Sequence, residues 1–288
     1  MKSVVKSDLI PAMTNNRYLE IFYHYFNQLK KIAISSFKWS GLPDSISERF
    51  LELTLFDYGQ CLFFNDDIMG FLTLPFTIAG QLNVYNLPKE MLAYSNTGYT
   101  ARRTEYDSVI VFNDNLFQNG YNAIYLFAVK LTNIDMTLDI NVNAQKTPIL
   151  ILTPEGQRLS MQNLYNQYIG NMPVLFGYQN MLDDSAFKVL KTDAPYLADK
   201  LIELKNAVWN EALTYLGVSN VAYQKKERMV SDEVIRGMGG VIANRNVRLF
   251  ARREACEKIN NMFGLNLTVE FQYDSTLISA NSEGGRKK

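Results

Sequence analysis

The chain has 288 residues, 47% of them apolar and 12% aromatic, with 29 Lys and Arg against 29 Asp and Glu, enough for one large domain or two closely packed ones. A balanced charge argues against a tight nonspecific nucleic-acid binder, because duplex affinity comes chiefly from phosphates neutralised by Lys and Arg. No apolar run reaches the roughly 18 residues of a membrane span, and the N-terminus, with Lys2 and Lys6, has no apolar core for a signal peptide, so neither is expected.

Asn15 or Asn16 can cap a first helix running to about Lys38, with Tyr18, Ile21, Phe22, Tyr25, Leu29 and Ile32 at helical spacing, ended by Leu42 and Pro43. Ser45 or Ser47 caps a second helix that stops at Gly59, and β-rich segments follow at 60–64, 69–78 and 108–112. Residues 1–115 therefore read as an outer α+β region. Ile124, Phe127, Ala128, Leu131, Ile134 and Leu138 form the stripe of a long helix within 116–146. The run from Pro148 to Thr153 predicts a buried strand, 160–168 a short helix, and 173–176 and 187–190 further strands, making 147–191 a small α/β module between two long helices.

Thr192 or Asp193 caps the next helix, within 192–217, with Pro195 in its first turn and Gly217 as its stop. Leu197, Leu201, Leu204, Val208, Ala212 and Leu216 fall on one face; Lys200, Glu203, Asn210, Glu211 and Thr214 take the rest. Charge clusters followed by Gly237, Gly239 and Gly240 make 218–243 read as a mobile loop. A last helix runs from Asn244 or Asn246 to Phe263, stopped by Gly264, and Leu267, Val269, Phe271 and Tyr273 alternate as a strand, so that 244–278 is a helix-and-strand unit. The tail 279–288 is expected to be disordered. The fold class is α+β.

Little in this chain supports catalysis. His24 is the single histidine and lies in an aromatic helix, where a packed or interfacial role suits it better than acid–base work. Cys61 and Cys256 are far apart with no CxxC pair, so a zinc site, a disulfide framework and a cofactor are not expected, and a reducing compartment fits. No GxxxxGK[ST] loop occurs: Gly237 to Gly240 is followed by Val241, so any ATP hydrolysis must come from another protein. Acid pairs at Asp66 with Asp67, Asp183 with Asp184 and Asp232 with Glu233 could hold divalent ions in a metal nuclease, but adjacent acids in one loop point different ways and are usually solvated.

A series of polar words has more to say: NVNAQKTP (Asn141 to Pro148), KTDAPY (Lys191 to Tyr196), KNAVWNE (Lys205 to Glu211), KKERMV (Lys225 to Val230) and REACEKIN (Arg253 to Asn260), joined by HYFNQL from His24, Trp39 with Leu42 and Pro43, GQ at Gly80, VYN at Val84 and NQYIGNMPVLF from Asn166. In this order and at these spacings the chain resembles the upper collar protein, the portal or head-tail connector, of small short-tailed phages with protein-primed genomes. The resemblance implies a non-enzymatic, portal-type subunit with long channel-lining helices, an inserted clip module and a β-rich wing. It implies a cyclic homo-oligomer, a dodecamer, at one capsid vertex of the virion, assembled in the host cytoplasm. Its partners would be double-stranded DNA bound without sequence preference, the major capsid protein, a scaffold protein, a packaging ATPase that acts with a packaging RNA in some relatives, and a lower collar or tail protein.

By the same resemblance Lys191, Lys200, Lys225, Lys226 and Arg228 face DNA, since one lysine per subunit becomes a belt of charge in a ring. Trp209, Arg245, Arg248 and Arg252 are assigned to the subunit interface; the three arginines share one helix face by spacing, and intersubunit salt bridges are expected of them. The stretch Ile235 to Phe250 departs from the family in being apolar and glycine-rich. Alternatives are a ring-forming collar or tail component without a packaging role, and a metal-dependent DNA-processing enzyme using Asp232.

Overall fold

The computed structural model describes residues 16–145, 149–153, 174–178, 187–189, 195–219 and 231–272. The chain divides into two compact units, one formed by 1–129 with 209–288 and the other by 130–208. Elements follow in the order α1 Asn16–Ile34, β1 Phe37–Ser40, α2 Glu48–Tyr58, β2 Gln60–Asp66, β3 Gly70–Leu74, β4 Phe76–Ile78, β5 Glu90–Tyr94, β6 Thr100–Thr104, β7 Ser108–Phe112, α3 Tyr121–Ala144, β8 Ile149–Thr153, β9 Val174–Tyr178, β10 Phe187–Val189, α4 Ala198–Tyr215, α5 Ser231–Phe263 and β11 Thr268–Phe271.

The larger unit is held together from both ends of the sequence. β1 pairs antiparallel with β11, Phe37 opposite Phe271 and Trp39 opposite Val269, so the early and late parts of the chain share one sheet. The first helix was expected to reach Lys38; it stops at Ile34, where the Ser35 and Ser36 hydroxyls donate to the Lys31 and Ile32 carbonyls of its last turn. Phe37 to Ser40 then alternates buried and exposed as a strand, its partner supplied by residues more than 200 positions away.

Ser47 caps α2 by accepting from the Phe50 amide, and Gly59, in the left-handed region at φ +81°, ends it. That turn feeds β2 into a three-stranded antiparallel sheet in the order β3-β2-β7, and β4, β5 and β6 form a second antiparallel sheet. The β5–β6 hairpin was not among the expected strands. Leu51, Leu55, Cys61, Phe63 and Val111 pack with Phe37, Trp39, Ile259 and Val269 in the principal core, while Leu62, Phe64, Phe76, Met91 and Ala93 fill a second cluster. An aromatic layer joins α1 to the start of α3: Phe22 meets Tyr125 at 5.2 Å and Phe26 meets Tyr121 at 5.1 Å, centroid to centroid.

The expected loop over 218–243 is corrected in its second half, because α5 begins at Ser231 and runs 33 residues through Gly237, Gly239 and Gly240. Glycine costs about 1 kcal/mol per interior position, but extending an existing helix is far easier than nucleating one. The stretch runs beside the end of α4, where Asn244 donates to the Thr214 carbonyl at 3.0 Å. Beyond α5, the Asn260 amide group brackets Leu267, accepting from its N–H and donating to its carbonyl, which fixes the turn into β11.

In the smaller unit, β8 lies between β9, parallel, and β10, antiparallel, the three strands expected for an inserted module. The short helix expected at 160–168 and the caps Thr192 and Asp193 lie outside the described residues. Pro195 is not helical; α4 starts at Ala198, and Asn141 holds the approach to it by donating to the Pro195 carbonyl at 2.9 Å and accepting from the Leu197 amide at 3.0 Å. Lys205 on α4 pairs with Asp135 on α3 at 2.8 Å.

Candidate functional site: the long helices and the arginine face

The arginine face of α5 is where the expectation from spacing and the observed packing part. Arg245, Arg248 and Arg252 do share a face, but it is turned onto the chain's own aromatic rings: Arg252 lies 4.1 Å and Arg248 5.1 Å from the centre of Phe37, Arg245 4.2 Å from that of Phe271, and the two phenylalanines meet edge to face. Arg252 is wholly enclosed, at 0% exposure. Its Nε and Nη2 donate to the two carboxylate oxygens of Glu52 at 2.8 Å each, and its remaining N–H groups donate to Asn113 Oδ1, the Asn113 carbonyl and the Arg248 carbonyl. Glu52 also accepts from the Trp39 indole at 2.8 Å.

One bidentate pair thus knots α5, α2, β1 and the end of β7. Its neutralised charge and satisfied donors are what allow a guanidinium to sit in a core. Intersubunit salt bridges expected of Arg252 and Arg248 give way to these contacts within the chain, since no surface of Arg252 and only 8% of Arg248 is left. Burial, and then the charge of Arg252 beside it, push Arg248 down to about 10, and its Nη1 is buried without a hydrogen-bond partner among the described residues. Arg245 takes a different task. Its Nε and Nη2 donate to the Gly217 carbonyl at 3.2 and 3.1 Å, closing the C-terminal end of α4, where Gly217 stands at φ +75° with the Arg245 backbone too near for a Cβ. Trp209 is half-buried, its ring 6.4 Å from that of Tyr25.

Glu52 was missed from sequence, although a signal exists: it stands one residue after Leu51 and three and four before Leu55 and Phe56, on the apolar side of α2, where a lone carboxylate implies a buried cation. Both cysteines are buried and chemically quiet. Burial pushes the Cys61 thiol far up and Cys256 to about 12.

Of the residues expected to face DNA, Lys200 is exposed in the first turn of α4, while Lys191, Lys225, Lys226 and Arg228 lie outside the described residues. The apolar stripe of α4 is buried from Val208 through Ala212 to Leu216. Nearer the helix start it is open, with Leu197 and Leu204 exposed; Ile202, off the stripe, is exposed too, as are Ile140 and Val142 on the second half of α3. Among the described residues no group of His, Cys, Asp and Glu is placed to hold a metal ion, and no helix is long and apolar enough to cross a membrane.

Solved structures that resemble the chain do so at low identity. The portal and tail of native bacteriophage P68 matches with a TM-score of 0.48 and 14% identity over 93% of this chain and 94% of that one. An HK97-family phage portal protein from Corynebacterium diphtheriae gives 0.44 and 12% over 92% and 98%, and the virion of a native gene transfer agent particle gives 0.44 and 10% over 97% and 93%. The sequence model of the phage connector (GP10) matches residues 6–276, nearly the whole chain. The protein belongs to the phage connector family and is a portal, or head-tail connector, of a phage particle.

Proposed function

We propose that the protein closes into a cyclic ring, a dodecamer by resemblance, at one capsid vertex, and that double-stranded DNA enters and leaves through its bore by phosphate contacts without base readout. The observation that carries this reading lies in the smaller unit, where the second half of α3 leaves Ile140 and Val142 uncovered and the approach to and first half of α4 leave Leu197, Ile202 and Leu204 uncovered. Apolar residues repeated along a helix call for a neighbour. In a closed ring each subunit offers one face to a different face of the next, which covers such residues without leaving an open end.

In this scheme Lys200 faces the bore together with Lys191, and Lys225, Lys226 and Arg228 sit between α4 and α5 in the chain, where they meet the DNA. Residues 147–191 form the clip that docks the packaging ATPase, with its RNA where one is used, and later the lower collar protein. Residues 1–115, with 244–278 joined to them through β1 and β11, form the wing that meets the capsid and scaffold proteins. Assembly takes place in the host cytoplasm and the motor supplies the energy. An in vitro packaging reaction tests the role: shells assembled with the protein should protect DNA from nuclease when the ATPase is supplied. Equal protection by shells assembled without it would leave only a collar or tail role.

A further inference from the structure

The turn between β2 and β3 displays apolar side chains on a rigid mount. Asp66 Oδ1 accepts from the amides of Ile68 at 3.1 Å and Met69 at 3.0 Å, its other oxygen accepts from the Tyr99 hydroxyl and from Arg103, and Gly70 restarts the strand at φ +75°. On this mount Ile68 is 95% and Met69 55% exposed, and the carboxylate of Asp67 bonds to no described residue. A turn so well tied does not need exposed apolar residues for its own stability.

The same unit contains a cleft of about 540 Å³ along β7, its apolar wall made by Met91, Val109, Phe112 and Met262. Lys258 stands in its lining, engaged by Glu254 in an exposed bridge one turn away on α5. An exposed bridge of this kind contributes little and is readily exchanged. Glu105 also lines the cleft, and Lys258 is the one cation among the lining residues. Because the sheet runs β3-β2-β7, the strand that leaves the tip and the strand beside the cleft are opposite edges. A heterologous ring contact joins two different faces of the subunit, and these two edges offer one a projection and the other a recess.

We infer that the Asp67-Ile68-Met69 tip of one subunit seats in the β7 cleft of the next, with Ile68 and Met69 against Met262 and Phe112 and Asp67 paired to Lys258. The occupant is a second copy of this chain, chosen by the charge match between an unpaired acid on the tip and a weakly held lysine in the cleft. The inference rests on the ring reading above.

Site-directed crosslinking tests it. Full-length Ile68→Cys and Met262→Cys proteins are mixed under ring-forming conditions with a mild oxidant; the native cysteines are buried and stay out of the reaction. A crosslinked dimer should form in the mixture and with neither variant alone. Asp67→Lys and Lys258→Glu should each raise the protein concentration needed for rings on the order of tenfold, and the double variant should restore it. Rings that form normally in every variant with no 68–262 crosslink would overturn the inference while leaving the ring intact, and a loss confined to attachment of the ring to shells would reassign the tip to the capsid. Failure of the unaltered protein to form rings at all would sink the ring reading itself.

Discussion

Arg252 shows how one side chain can be read correctly and placed wrongly. The spacing of Arg245, Arg248 and Arg252 gives a shared face, and that face exists, but its direction depends on Glu52, 200 residues earlier, and on Phe37 and Phe271. Local periodicity carries no information on either. The two buried guanidiniums should respond oppositely. Arg252→Met or Glu52→Gln strands a buried partner and should cost about 3–5 kcal/mol in urea unfolding, whereas Arg248→Met, which removes a buried N–H without a partner, should stay within about 1 kcal/mol of the parent or exceed it. Asp66 gives a pH-dependent counterpart. The Tyr99 hydroxyl, and after it the Met69 and Ile68 amides, hold its carboxyl below the usual carboxylate range. A depressed folded value means that its stabilising effect is complete above the ordinary aspartate value of about 3.9 and fades as the pH falls through the lower one. Amide protection of Ile68 and Met69 should therefore hold at about pH 5 and drop in that acidic window; protection unchanged down to full protonation would remove Asp66 as the mount of the tip.

At the level of elements, the long helices, α2 with its Ser47 cap and Gly59 stop, and the strands at 60–66, 108–112, 149–153 and 174–178 were legible because each carries its own pattern or punctuation. β1 was absorbed into the preceding helix, and β5 and β6 were passed over, because their stabilising partners lie across a sheet. The start of α5 was lost behind three glycines whose cost the rest of the helix outweighs. Punctuation can be tested directly at Gly59. A Cβ there would stand 2.7 Å from the Phe117 carbonyl oxygen and 2.8 Å from the Asn119 amide nitrogen, on top of the positive φ. Gly59→Ala should lower unfolding stability by more than about 1 kcal/mol, and a neutral result would show that the chain after β7 yields more easily than its contacts suggest.

Across the whole molecule, family and role were legible because polar words in a fixed order span nearly the entire chain, and the connector model matches over the same extent. The residues assigned to DNA contact were less so: the assignment stands on resemblance, and of them Lys200 is the described one. Lys225, Lys226 and Arg228, replaced together by Ala, should leave rings and empty capsids intact while packaged DNA leaks, scored by nuclease-protected genome; full retention would take these residues out of the mechanism. Closure of the exposed apolar helices, through a heterologous interface, into a channel is visible by single-particle electron microscopy of the purified protein viewed down the symmetry axis. A closed twelve-fold ring with an open bore wide enough for duplex DNA is the predicted image. A monomer or a closed two-fold dimer under assembly conditions would contradict it.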